Sequence, residues 1–210
     1  MNKDIPVLIF SDKLNINGDY PIIKIINEQS LPYILKHEIG GLKDWFKSRV
    51  IPTNRNHLEK LIESLQFEKK PTALDYLKLN NGFSLNDSYW IKPLDISSMY
   101  PKDLCWDKYN LYDNKFEEAL GLVTFFGNNT SLGGTVNTPK VSSPELTTQG
   151  VMNKAWRRTD NKLLLYKRGN IGAANLDKEH FSESIASEIG KILGRSEERR
   201  VGKECPRCVD

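Results

Sequence analysis

The chain has 210 residues with 30 basic and 27 acidic side chains, a net charge of +3 and a hydrophobic content of 39%. This composition excludes a chain that is disordered throughout, because enough apolar residues are present to offset chain entropy. The small charge excess leaves nucleic acid unsupported as a partner. The longest apolar runs are far shorter than the roughly 20 residues that cross a bilayer, and no signal peptide is recognisable, so we expect a cytoplasmic protein without a membrane partner.

The first 65 residues predict two strands followed by helices. The β-branched runs IPVLIFS and YPIIKII are separated by Asn, Gly and Asp, which is typical of paired strands. Residues 27–52 have apolar side chains at helical spacing, with a break at Gly40-Gly41 and a stop at Pro52. Leucine and isoleucine residues between 58 and 65 form one face of a further helix, for which Asn56 is the expected cap.

The middle of the chain predicts another helix, a turn and a linker. Pro71 is expected in the first turn of a helix that ends at Gly82. Asn86-Asp87-Ser88 is expected to be a turn whose side chains bond their own backbone. The segment FEEALGLVTFF predicts a short helix or strand, and the Gly-, Asn-, Thr- and Ser-rich residues 127–141 indicate a flexible linker.

After the linker, the pattern predicts a loop, a hairpin and a helix. The runs NKAWRRT and KLLLYKRG are expected to pair, with a turn near residues 159–161. Phe181, Ile185, Ile189 and Ile192 recur at the spacing of one helix face.

Residues 147–154, TTQGVMNK, contain the small and polar residue types of a loop that binds phosphate through its backbone N–H groups. The loop lacks the spacing of a P-loop and of the glycine loop of ordinary protein kinases, so alone it favours a simple turn. Lys167 ends the second hairpin strand, and Glu183 is expected in the first turn of the final helix. Kinase phosphoryl transfer uses this order, in which a helix glutamate holds the strand lysine that contacts the nucleotide phosphates.

These residues resemble the HipA-like serine/threonine kinases, whose loop typically reads Ser-x-x-Gly-x-Gln-x-Lys. Thr147, Gly150 and Lys154 match the hydroxyl, glycine and lysine of that loop, whereas Met152 replaces its glutamine. Ser182-Glu183 followed by SIASEIGKILG is similar to the family's Asn-Glu and its helix ending in Leu-Gly. Together with WFKSRVIPTNR and SLNDSYWIKP upstream, the resemblance covers residues from about 20 to 194 and points to a bacterial branch of the family.

The resemblance implies an ATP-dependent protein kinase that uses ATP and Mg²⁺ in the full-length family. It implies nucleotide binding at Gly150, Lys154, Lys167 and Glu183, and regulatory phosphorylation at Thr147, where a phosphate adds about −1.5 to −2 charge. The implied partners are a protein substrate and a companion antitoxin, although no residue of this chain requires the antitoxin.

The expected fold class is α+β. Residues 1–126 are expected to form a mixed α/β accessory domain, 127–141 a flexible linker and 142–194 the start of a kinase-like N-lobe. Residues 195–205 look like the in-frame translation of a sequencing adapter, so 195–210 are expected to be a non-native tail. The Cys205-Pro-Arg-Cys208 pair lies in that tail without partner ligands, which disfavours a metal or redox role.

Two functions stay open at this point. The chain reads as the N-terminal fragment of a HipA-like kinase, inactive in phosphotransfer because no run in it supplies the catalytic and metal-binding aspartates. Alternatively, it is a non-catalytic protein- or DNA-interaction module, in which Lys167 is a solvated strand-end lysine and Glu183 only favours the helix start. The three histidines follow no ligand spacing, and the four tryptophans are expected to be packing residues.

Overall fold

The computed structural model describes residues 1–65, 70–94, 102–127, 143–160, 162–169 and 178–194. These residues contain both helices and short antiparallel strands, so the α+β class is confirmed. The elements are β1 (Leu8–Phe10), β2 (Ile22–Ile25), α1 (Tyr33–Lys36), α2 (Leu42–Arg49), α3 (Leu58–Ser64), α4 (Ala73–Leu79), α5 (Trp106–Tyr109), α6 (Ala119–Phe126), a 3-10 turn (Pro144–Thr147), β3 (Lys154–Thr159), β4 (Lys162–Lys167) and α7 (Glu179–Ile192).

The chain divides into two compact units, each of which is built from three separate segments. The first unit comprises Met1–Pro52, Phe67–Glu117 and Asn137–Gln149, and the second comprises Thr53–Gln66, Glu118–Val136 and Gly150–Asp210. The sequence-based domains are continuous stretches of chain, and they stay a prediction. Most of the expected linker, residues 128–141, and all of the expected tail, 195–210, lie outside the described residues.

The first unit contains the predicted N-terminal strand pair. β1 and β2 are antiparallel, with Leu8 opposite Ile25 and a bulge after Ile9. The predicted helix break is also present, because α1 ends before Gly40 and α2 begins just after Gly41. The backbone N–H of Tyr89 donates a hydrogen bond to the Asp87 carboxylate at 2.9 Å, which confirms the self-bonded turn.

The start of α4 differs from the expectation for Pro71. Thr72 is the N-cap, and its hydroxyl accepts a hydrogen bond from the backbone N–H of Asp75 while the Asp75 carboxylate accepts one from Thr72. Proline therefore precedes the cap instead of occupying the first turn, because this reciprocal capping box satisfies the free N–H groups better.

The core of the first unit is aromatic. Phe83 stacks on Trp90 with 5.0 Å between ring centroids, and Trp106 packs against Phe83 at 5.8 Å. Leu104 and Leu111 complete this buried cluster. The expectation that tryptophans serve packing is confirmed for Trp90 and Trp106, and Trp156 is buried in the second unit.

The second unit combines the predicted hairpin with helices α3, α6 and α7. β3 and β4 pair in continuous register from Lys154 opposite Lys167 to Thr159 opposite Lys162, so the hairpin prediction is confirmed. α6 resolves the open choice at residues 119–126 in favour of a helix. The expected Asn56 cap is wrong: the N-cap of α3 is His57 in the left-handed region (φ 60°), while the Asn56 N–H donates to the carbonyl of Val151.

Candidate phosphate-binding site

The hairpin register brings two of the predicted site lysines together. Lys154 and Lys167 face each other across β3 and β4. The Arg168 N–H donates to the carbonyl of Asn153 at 2.9 Å, so Lys154 and Lys167 form a pair without mutual backbone hydrogen bonds. Such pairs bring their side chains closest together and on the same face of the hairpin. Two ammonium groups therefore lie at the loop end of this sheet.

The carboxylate of Glu183 joins this lysine pair. Lys167 Nζ lies 3.3 Å from Glu183 Oε2, and the two side chains are 31% and 48% exposed. The ion pair expected from the order of the sequence is present. The position of Glu183 in its helix differs from the expectation, because α7 begins at Glu179 and Glu183 is therefore in the second turn. The side chain of the N-cap residue, Lys178, makes no capping hydrogen bond. The sequence therefore contains no capping motif that predicts the start of α7 at Glu179.

Gly150 is required for the conformation of the loop. Its φ of +99° is in the region that L side chains rarely adopt, and an added Cβ would clash with Lys154 Nζ. The lysine side chain therefore lies directly against the backbone of the glycine turn. A larger residue at 150 would displace this ammonium group as well as strain the turn.

The Arg55 side chain just before α3, the Thr124 side chain in α6 and two backbone N–H groups hold the carbonyl oxygens of this loop. Arg55, which is 3% exposed, donates to the carbonyls of Gly150 at 3.4 Å and Lys154 at 3.0 Å. The Thr124 hydroxyl also donates to the Lys154 carbonyl, at 3.1 Å. The Val151 carbonyl accepts from Asn56, and the Asn153 carbonyl accepts from Arg168. The loop is thus tied to the protein through its acceptors.

The donors of the same loop are in a different situation. Within the described part of the chain, the backbone N–H groups of Val151, Met152 and Asn153 have no hydrogen-bond acceptor. Consecutive backbone N–H groups in a turn can converge on a single anion, particularly where lysine side chains add positive charge. Residues 150–154 with Lys167 therefore have the chemical character of a phosphate-binding site.

The first three residues of the predicted loop, 147–149, belong to the first compact unit. Thr147 ends the 3-10 turn, is 2% exposed and donates its hydroxyl hydrogen bond to the Phe83 carbonyl at 3.0 Å. Gln149 Nε2 donates to the Val50 carbonyl at 2.5 Å. A kinase could reach the Thr147 hydroxyl only after this segment leaves its place, so the phosphorylation stays a prediction with that condition.

Sequence reasoning missed four residues that shape the loop: Arg55, His57, Thr124 and Asn153. His57 Nδ1 lies 3.3 Å from the Thr124 carbonyl, and Asn153 Nδ2 donates to the Phe125 carbonyl at 3.1 Å. His57 is therefore a satisfied structural histidine, in keeping with the lack of ligand spacing among the histidines. No periodic pattern marks Arg55 or Asn153, because each bonds to backbone atoms that are distant in the sequence.

No metal centre or membrane span emerges from the residues that the structure describes. None of their His, Cys, Asp and Glu side chains form a group of three that could hold a metal ion. Their helices are too short or too polar to cross a bilayer. His37 contacts the ring of Tyr33, with 4.3 Å between centroids, and Cys105 is a free, partly exposed thiol.

Comparisons with known proteins give no relative for this chain. No protein-family model, no curated protein and no solved structure matches it.

Proposed function

We propose that Gly150, Lys154, Lys167 and Glu183 form the phosphate-binding part of the nucleotide site of a HipA-like serine/threonine protein kinase. The observation that carries this proposal is the 3.3 Å ion pair between Lys167 and Glu183, which joins the second hairpin strand to the following helix. In kinases, such a pair holds a strand lysine toward the nucleotide phosphates. A cytoplasmic location, a protein substrate and an antitoxin partner belong to the same proposal.

The electrostatics of the pair favour a functional role over a stabilising one. Both side chains are substantially exposed, and exposed ion pairs contribute only about 0–1 kcal/mol to the free energy of unfolding. Two lysines directly opposite in a hairpin repel each other, which opposes folding. Local arrangements that oppose stability are concentrated at functional sites. A bound polyphosphate would reverse this repulsion into attraction.

The residues fit the phosphates of ATP and leave the metal unassigned. Lys154, Lys167 and the N–H groups of residues 151–153 supply donors to anionic oxygens. Magnesium would neutralise charge on the transferred phosphoryl group, and no group of three potential ligand residues is present for it among the described residues. We therefore assign nucleotide binding to these residues and derive no phosphoryl-transfer step from them.

The decisive measurement is ATP affinity by isothermal titration calorimetry. Lys167→Met removes a charged donor to phosphate, and we expect binding to weaken about tenfold or more, since such hydrogen bonds contribute roughly 1.5–3 kcal/mol. Lys162→Met is the matched control, because Lys162 begins the same strand at the opposite end of the hairpin. Wild-type protein that does not bind ATP, or equal losses in both variants, would contradict the proposal.

Inorganic tripolyphosphate tests the loop itself. Gly150→Ala forces a side chain into a left-handed backbone and against Lys154 Nζ, so we expect weaker tripolyphosphate binding than in wild type. Gly190→Ala is the control, because a Cβ at Gly190 meets no atom within 4 Å. If Gly150→Ala binds tripolyphosphate as wild type does, the loop is only a turn.

The first compact unit supports a second candidate function, a non-catalytic protein-interaction module. It contains an apolar cavity of about 810 Å³ that none of the kinase residues line. Cavities of this size with few polar groups are typical binding sites. ATP titration separates the two candidates, because an interaction module has no reason to bind nucleotide through Lys167.

A further inference from the structure

The cavity of the first unit runs along a strand edge. Its lining includes every residue from Pro6 to Asp12 and every residue from Tyr89 to Leu94, whereas β2 itself contributes only Ile23. Because successive side chains of a strand alternate between its two faces, a cavity lined by consecutive residues follows the edge of the backbone. The cavity is therefore a groove between the outer edge of β1 and the segment 89–94, and we call it the β1 groove.

The backbone of β1 is open toward this edge. The Val7 carbonyl accepts a hydrogen bond from the Ile26 N–H, and the Ser11 N–H donates one to the Pro21 carbonyl. The backbone groups of Val7 and Ser11 that form these bonds therefore point toward the β2 side of the sheet. By the alternation of an antiparallel pair, Leu8 and Phe10 direct their N–H and C=O groups away from β2. Outside the β1–β2 ladder, none of these four groups has a backbone hydrogen bond among the described residues. An open edge of this kind is a template for another strand.

The surroundings of the edge specify an apolar occupant with negative charge. Trp45, Leu74 and Ile91 supply apolar surface to the groove. Among the described residues, the charged side chains of its lining are Asp12 and Lys78, which form an ion pair at 2.9 Å, and Lys92. Lys92 is exposed and forms no ion pair with another described residue, so it is the charged side chain of the described lining that is available to an acidic ligand.

We propose that the β1 groove binds an extended peptide, which pairs with Leu8 and Phe10 as an added strand and places an acidic side chain near Lys92. Backbone hydrogen bonds to the edge supply affinity in this mode of recognition, and alternate apolar side chains in the groove supply selectivity. The inference is independent of nucleotide binding, because all the residues it uses belong to the first compact unit.

The test uses the full 210-residue chain and a set of capped hexapeptides, acetyl-Glu-X-Thr-X-Thr-X-amide, in which X is Val, Ile, Leu or Phe. Binding is measured by fluorescence anisotropy, and the site is located by hydrogen exchange at the amides of Leu8 and Phe10. We expect at least one peptide to bind with micromolar to millimolar affinity and to slow exchange at both amides. Absence of binding by every peptide at millimolar concentration overturns the proposal.

Two comparisons distinguish strand addition from other occupants. N-methylation of alternate peptide amides removes their donors but keeps the apolar side chains, so binding should weaken about tenfold. If the methylated peptide binds equally, or if laurate alone protects Leu8 and Phe10 and displaces the peptide, the groove is a site for apolar small molecules. Protection that rises with protein concentration without peptide, together with a dimer in sedimentation, would assign the groove to a second copy.

The charge requirement has its own matched pair of variants. Lys92→Glu reverses the charge at the groove and should weaken the glutamate peptide about threefold to tenfold at low salt. Lys24→Glu makes the same change on β2 at an exposed lysine outside the lining of the groove, and should have little effect. Equal effects of both substitutions on peptide affinity would contradict the proposed contact between Lys92 and the acidic side chain of the peptide.

Discussion

Arg49 in the first compact unit and Lys167 in the second both pair with a carboxylate, but their surroundings differ. The Arg49 side chain is 5% exposed, and its guanidinium donates to Asp87 Oδ2 at 2.5 Å and to the carbonyls of Gly82 and Tyr89. The Lys167 ammonium is 31% exposed, and its recorded hydrogen-bond acceptor is Glu183.

The difference in exposure and in hydrogen-bond partners indicates that Arg49 and Lys167 serve different purposes. Arg49 is buried, donates three hydrogen bonds to protein atoms and lies 4.7 Å from the centre of the Trp45 ring, so it stabilises the folded unit and is poorly accessible to a ligand. Lys167 is anchored by one carboxylate in a solvated setting, which orients its ammonium group and leaves it accessible to an anion. Burial and partner number thus distinguish a structural cation from a candidate binding cation.

The largest expected effect is from Arg49→Met. The substitution leaves the Gly82 and Tyr89 carbonyls and the Asp87 carboxylate without this donor, and we expect the free energy of unfolding to fall by about 3–5 kcal/mol. Urea denaturation measures this change. Lys47→Met on the same helix is the control, because Lys47 is 61% exposed and pairs with Asp44 at a distance of 3.9 Å. A loss below about 1 kcal/mol for Arg49→Met would remove the contrast with Lys167.

Raising the pH above about 10 is expected to have an intermediate effect on the free energy of unfolding. Burial raises the pKa of the Tyr76 hydroxyl to about 12, and the charge of Asp75 contributes less. Below about pH 10, the ordinary tyrosine pKa, both states keep the proton. Between pH 10 and 12 the unfolded chain releases it first, so the free energy of unfolding should decrease with rising pH, by about 1–2 kcal/mol.

Tyr76→Phe should flatten this part of the pH profile. Tyr33→Phe is the matched control, because Tyr33 is 72% exposed. Parallel pH profiles for wild type and Tyr76→Phe would show that the buried hydroxyl of the first unit does not couple ionisation to stability.

The smallest effect on stability is expected from a substitution in the exposed ion pair of Lys167 with Glu183. Glu183→Gln removes the charge opposite Lys167, and the free energy of unfolding should change by less than about 1 kcal/mol because the pair is exposed. ATP affinity should nevertheless fall about tenfold, since the ammonium group is no longer held in place.

Glu188→Gln is the control for this variant, because Glu188 pairs with Lys191 at 2.7 Å on the same helix. A change in stability larger than the change in ATP affinity would identify the Glu183 pair as structural and would contradict its assignment to a nucleotide site.

The elements that the sequence predicts best are those with local, periodic causes. The hairpin at residues 154–167 follows from two runs of apolar residues separated by a short turn, and its register places Lys154 opposite Lys167. The contact of Lys167 with Glu183 follows from the order of strand and helix. The roles of these residues in binding nucleotide remain predictions.

The features that the sequence does not reveal depend on distant partners. Arg55 donates hydrogen bonds to the carbonyls of Gly150 and Lys154, which are 95 and 99 residues away in the sequence. No local sequence pattern therefore predicts its contact with the loop. The N-cap of α3 is His57 and not the predicted Asn56, whose backbone N–H donates to the distant carbonyl of Val151. Thr147 looks like an accessible loop hydroxyl in the sequence, but its buried hydrogen bond to the Phe83 carbonyl joins residues 64 positions apart.

The contacts of Arg55 have a kinetic consequence for any anion that reaches residues 150–154. Since the carbonyls of this turn are already fastened to buried side chains, the peptide shape needed for capture exists beforehand. Arrival of the anion would then require little loss of chain entropy, and association would be governed by diffusion and charge attraction instead of slow segment closure.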